Sequence, residues 1–157
     1  MPRKRDRPLI EPGRVTHEYA RPEAAALGEQ WLGVFAANGF GSSSRQYLWH
    51  ALCGAPLALA GEDALARYDL QACDEYVVMS NDCKVAFRTD QRPTRSCLSD
   101  WFVFPPNLAW TMAFTHEDGW IGPLFAVHPD YQRLNAANLA RIEKRREVEN
   151  AKQRGWA

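Results

Sequence analysis

The sequence predicts an α+β fold, with N-terminal helices packed on a four-stranded antiparallel sheet and a C-terminal helix. Three observations carry that expectation. Apolar residues recur at helical spacing from about residue 22 to 70; alternation broken by turn residues takes over near residue 75; helical spacing returns at Asp130. A chain of 157 residues is most naturally one domain, and that size buries roughly two thirds of the surface exposed by its unfolded form, enough for a core without metal or disulfide staples. With 46% hydrophobic and 24% charged residues, the composition excludes disorder throughout.

Residues 1–21 are rich in Arg and Pro and lack apolar periodicity, which predicts a basic flexible arm. The stretch RPEAAALGEQWLGVFAANG then reads as a helix. Pro22 suits its first turn, Ala24, Leu27, Trp31 and Val34 share one face, and Asn38-Gly39 ends it. The serines of GSSS offer N-caps for a second helix over about 43–53, with Tyr47, Leu48, Ala51 and Leu52 as its apolar stripe. Glu62 and Asp63 favour the first turn of a third helix carrying Leu65 and Tyr68.

EYVVMS and CKVAFRT alternate as strands do, and Asn81-Asp82 between them predicts a hairpin. A polar loop over 89–100 follows. DWFVFPPNLAWTMAFTHE is two strands around Pro105-Pro106-Asn107, because neither proline fits inside a central strand. In the last strand Trp110, Met112, Phe114 and His116 share one side, expected to face the core, and Thr111, Ala113, Thr115 and Glu117 share the other. From Asp130 a mostly polar helix has Leu134 and Ile142 to dock; beyond them it is expected to project into water. The domain plan is thus an arm at 1–21, a single α+β domain at 22–129 and a charged helix at 130–157.

Net charge is zero but unevenly spread. The first seven residues balance at +3, residues 130–157 carry seven basic against four acidic residues, and residues 8–129 carry eight basic against fourteen acidic. The basic ends offer nucleic acid a surface through Arg3, Lys4, Arg5, Arg141, Lys144, Arg145 and Arg146, a reading not favoured because no aromatics interleave with those charges. Cys53, Cys73, Cys83 and Cys97 show no C-x-x-C spacing, so they are expected to be small core residues rather than zinc ligands. No metal or cofactor is expected. The longest apolar run, Ala55 to Ala60, falls far short of the ~20 residues that span a bilayer, and residues 1–30 hold no secretory apolar block; a cytoplasmic protein without membrane contact is the expectation.

The turn after the last strand carries the densest chemistry. His116, Glu117 and Asp118 precede Gly119-Trp120. A catalytic reading makes His116 a general base or ligand, Glu117 or Asp118 its partner, and His50 or Tyr47 a third group. The spacing matches no ligand motif, and alternation sends Glu117 away from His116. The structural alternative has His116 bonding a loop carbonyl, Asp118 forming an Asx-turn and Trp120 closing on the core, and it is preferred. His17 and His128 lie in a tail and a loop. No phosphate loop or G-x-S-x-G elbow occurs.

YLWHALCG at 47–54 and LAWTMAFTHEDGWIGPLF at 108–125 together resemble a family of small bacterial proteins catalogued as domain of unknown function 4275. The positions that carry the resemblance are Tyr47, Leu48, Trp49, His50, Trp110-Thr111, Thr115-His116-Glu117, Gly119-Trp120, Gly122-Pro123 and Phe125. Leu124-Phe125 departs from the aromatic pair of that family. The resemblance covers roughly 25–126 and implies no assigned activity. It does imply that the second helix and the last strand belong to one unit, bringing His50 towards His116.

The expected function is that of an intracellular, non-enzymatic interaction protein of the partner-neutralising, immunity type, whose acidic body docks a basic protein. Trp49, Trp101 and Trp120 are the candidate anchors, with Asp118 beside them. The rival is a small hydrolase, or a metal- or nucleotide-binding domain, using His116, Glu117 and His50.

Overall fold

Unbroken apolar runs such as YVVM, WFVF and LFAV suit strands covered on both faces, since every side chain in them then finds a dry environment. The computed structural model describes residues 10–35, 58–115 and 123–155, and in it Tyr76–Ser80 is buried at every position rather than alternating between inside and outside. The α+β class holds, but among the described residues the sheet has seven strands rather than four. Its order is β2(Val15–Glu18), β5(Ala86–Thr89), β4(Tyr76–Ser80), β7(Trp101–Phe104), β8(Trp110–Phe114), β9(Leu124–Val127) and β3(Leu59–Ala60), with every neighbouring pair antiparallel. A separate two-stranded ribbon joins β1(Ile10–Glu11) to β6(Arg95–Ser96). The described helices are α1(Arg21–Phe35), α2(Gly61–Asp69) and α3(Tyr131–Gln153).

Register lines up two apolar rows across the sheet. Ala86, Met79, Phe102, Ala113 and Leu124 are successive cross-strand partners on one face. Phe87, Val78, Val103, Met112 and Phe125 are the corresponding partners on the other. The first row packs with Ala24, Trp31 and Phe35 of α1. The second packs with Ala64 and Tyr68 of α2, Ile10 of the ribbon, and Tyr131 and Leu134 of α3. The described chain therefore forms three layers, with α1 on one side of the sheet and α2 and α3 on the other.

Two expectations change. The arm at 1–21 is not free over its second half: Val15–Glu18 forms an edge strand against β5, and Ile10–Glu11 pairs with β6 inside what looked like a polar loop. The split of β8 into a core face and an outer face also fails, because Thr111 and Ala113 are as fully buried as Trp110 and Met112. Both sides of that strand are interior from Trp110 to Ala113, so alternation alone does not turn Glu117, which lies outside the described residues, away from the core. The helix expected at 43–53 lies outside the described residues.

Local chemistry fixes the connections. The β4–β5 hairpin turns at Asn81-Asp82, where Asp82 Oδ1 accepts from Ser80 Oγ at 2.7 Å and from the Lys84 N–H at 3.0 Å. Asn107 closes the β7–β8 turn: its Oδ1 accepts from Ala109 N at 3.2 Å and from Asn138 Nδ2 at 3.3 Å, while its Nδ2 donates to Leu134 O at 3.0 Å. One turn residue thus pins the first half of α3 onto the sheet. Cys73 is buried and Cys83 half-buried, but Cys97 is exposed, contrary to a core role for it.

Candidate functional site

Of the residues singled out in the sequence, His50, Trp49, His116, Glu117, Asp118 and Trp120 lie outside the described residues, as do Arg3, Lys4 and Arg5. Trp101 is described and is not an exposed anchor. It is 5% exposed and stacks on Phe114 with ring centroids 4.1 Å apart and planes 12° from parallel. Its indole belongs to the face of the sheet that α2 covers, because Trp101 alternates with Phe102 and shares its side with Val103.

The basic residues of α3 form a more specific arrangement. Leu134 and Asn138 hold the helix to the sheet, Ile142 is half-buried, and residues 143–150 are all exposed. Arg141, Lys144, Arg145 and Val148 follow i, i+3, i+4, i+7 spacing, which places them on one side of a helix. They line one wall of a groove of about 490 Å³ whose other wall is Asp74 and Glu75 at the start of β4. Lys152 continues the row at i+11. Glu143 and Glu147 fall on the opposite side by the same geometry, and Arg146 pairs with Glu143 at 3.8 Å.

Both acidic residues of the groove are already engaged. Arg141 Nε lies 3.4 Å from Asp74 Oδ2, and Arg88 Nη1 donates to Glu75 Oε2 at 2.9 Å. Arg88 also donates through Nε to the Tyr19 hydroxyl, and its guanidinium carbon lies 5.6 Å from the centre of that ring. That hydroxyl contact, followed by the pull of Glu75, raises the Arg88 pKa further and keeps the cation fixed. Lys144, Arg145 and Lys152 make no ion pair among the described residues.

Nothing beside Asp74 and Glu75 in the sequence marks them as paired. Their partners come from α3 and β5, far along the chain, so no local signal pairs them. Of the cationic wall, Arg141, Lys144 and Arg145 were named from the sequence as part of a basic end, without the spacing that separates them from Arg146. The four α3 cations named for nucleic acid do not form one patch, since Arg146 points away from Arg141, Lys144 and Arg145.

Titratable groups deeper in the molecule are held neutral. Burial is the leading cause in each case: it pushes the Cys73 thiol and the Tyr68 hydroxyl far above their usual range and lifts Tyr76 to about 12. Cys73 Sγ donates to Glu75 O at 3.0 Å, and the Tyr68 hydroxyl donates to Pro93 O. These are buried groups tied to backbone acceptors. Among the described residues no group of three or more His, Cys, Asp or Glu is placed to hold a metal ion, and no helix is long and apolar enough to cross a membrane. No family model, curated protein or solved structure matches this chain.

Proposed function

We propose that this chain is a cytoplasmic, non-enzymatic interaction protein of the partner-neutralising, immunity type, and that its acidic body engages a basic protein. The supporting observation is the separation of charge on a packed frame. Residues 8–129 hold fourteen acidic against eight basic residues, while the excess of basic residues in 130–157 sits on or beside α3. Asp69, Asp74, Glu75 and Asp90 are answered by Arg92, Arg141, Arg88 and Arg14. Glu11, Glu18, Glu29, Glu62 and Asp63 are exposed and make no ion pair among the described residues. Unanswered carboxylates on a rigid body steer a basic partner during encounter and disfavour acidic ones.

Membership of the family catalogued as domain of unknown function 4275 is part of the same proposal and stands on the two segments quoted above. The hydrolase or ligand-binding reading uses His116, Glu117 and His50, and no observation on the described residues favours it.

Recovery of a complex from native lysate, followed by reconstitution from purified components, tests the proposal. The expected result is a stoichiometric complex with a basic protein, whose association rate falls about tenfold from low to physiological salt. Reversing Glu62→Lys and Asp63→Lys should slow association several-fold. An acidic stoichiometric partner, no stoichiometric partner, or a rate indifferent to salt overturns it.

A further inference from the structure

We infer that the groove between α3 and the start of β4 is a docking site for an acidic peptide segment of a protein partner. The groove is shallow and open, about 490 Å³ between Asp74 and Glu75 on one side and Arg141, Lys144, Arg145 and Val148 on the other. Its charges do not cancel. Asp74 and Glu75 are each consumed by an arginine, one within the groove and one from β5. That leaves Lys144 and Arg145, with Lys152 two turns on, as cations without an ion pair among the described residues. Val148 is 48% exposed between them and adds an apolar contact.

The spacing suits a polypeptide. Residues four apart on a helix lie about 6 Å apart along its axis. Side chains two apart on an extended strand repeat at about 6.7 Å. A segment with a carboxylate, an aliphatic side chain and a carboxylate at alternate positions therefore meets Lys144, Val148 and Lys152 in turn. A nucleic-acid backbone fits less well. Its continuous phosphates would run against the carboxylates of Asp74 and Glu75 as well as along the cations, whereas a peptide places charge only where it is answered.

This surface is distinct from the carboxylates of the acidic body, so its failure would leave the basic-partner reading intact. Fluorescence anisotropy on the full chain, with a labelled octapeptide of alternating glutamates around a central leucine, reads the interaction directly. The glutamate peptide should bind at least about tenfold tighter than its glutamine counterpart. Lys144→Glu with Arg145→Glu should weaken binding about tenfold, and Val148→Asp several-fold. Arg146→Glu, on the opposite side of α3, should change it less than twofold. All four positions are exposed, and circular dichroism should show unchanged folding. Equal binding of the two peptides overturns the proposal, as does equal weakening by the Arg146 and Lys144/Arg145 variants. A single-stranded oligonucleotide binding more tightly than the glutamate peptide overturns it in favour of nucleic acid. Self-association abolished by the Lys144/Arg145 variant overturns it in favour of a second copy.

Discussion

Trp31 and Thr111 meet across the boundary between α1 and the sheet. The indole Nε1–H donates to Thr111 Oγ1 at 2.8 Å, and both residues are fully buried. Thr111 Oγ1 in turn donates to Val103 O at 3.3 Å, so one hydroxyl joins the helix, β8 and β7. A buried donor that loses its acceptor keeps the cost of having left water, typically 1–3 kcal/mol. Thr111→Val should therefore destabilise the chain by about 2 kcal/mol although it preserves volume. Trp31→Phe should cost about 2–4 kcal/mol, because it also leaves a cavity. Urea unfolding of both single variants and the double gives the coupling. We expect the double variant to lose about 1 kcal/mol less than the sum; strict additivity would show that the bond carries no net stability.

At the scale of elements, α1 packs on the β4–β5 hairpin at Gly28, where it meets the side chain of Cys83. A Cβ on Gly28 would overlap Cys83 Sγ and lie 3.0 Å from Cys83 Cβ, and Cys83 itself holds a left-handed φ of 58°. Gly28→Ala should destabilise by about 1–3 kcal/mol through overpacking, despite the better helix propensity of alanine. Cys83→Gly should be close to neutral alone and should rescue most of that loss, because it removes both the obstructing side chain and the strained φ. Failure of rescue, measured by thermal unfolding, would place the clash elsewhere. The distal half of α3 has the opposite character. Ending the chain after Glu143 keeps Asn107, Leu134, Asn138 and Arg141 in place and should cost no more than about 1 kcal/mol. A loss above about 3 kcal/mol would mean that those exposed turns hold the sheet together.

These elements also show what the sequence could and could not disclose. α1, the Asn81-Asp82 hairpin, the Pro105-Pro106-Asn107 turn and α3 were legible because each carries its own periodicity or turn residues over a continuous stretch. The strands at Ile10–Glu11, Leu59–Ala60 and Arg95–Ser96 have two residues each. No period exists in two residues, and a distant partner makes them strands. Alternation in β8 was read as inside against outside, but burial of both faces gives the same pattern without a solvent side. Of the groove, the α3 cations were legible only as a basic end that also took in Arg146, while Asp74 and Glu75 enter only through long-range pairing.

At the scale of the whole molecule, the three layers bury Tyr68, Cys73 and Tyr76 on the α2 side of the sheet and partly bury Cys83 on the α1 side, and that sets the response to alkali. Burial raises Tyr76 from 10.0 to about 12 and half-buried Cys83 from 9.0 to about 11, and it lifts Cys73 and Tyr68 further. In each case the fold favours the neutral form. Below pH 9 both folded and unfolded chains hold these protons, so the contribution to stability is fully present. Above it the unfolded chain releases them first and binds fewer protons than the folded chain, so stability falls as pH rises. The thiols act from about pH 9 and the phenols from about pH 10. Cys73 dominates the early part because it is nearly inaccessible, and Cys83 counts for less because water reaches it. A loss on the order of 2 kcal/mol between pH 8 and 10.5 is expected by urea unfolding under reducing conditions. Cys73→Ala should lower stability at pH 8 modestly and remove about half of that slope. A stability curve flat from pH 8 to 10.5, or a slope untouched by Cys73→Ala, would show that water reaches the interior on the α2 side and that its layers do not close as described.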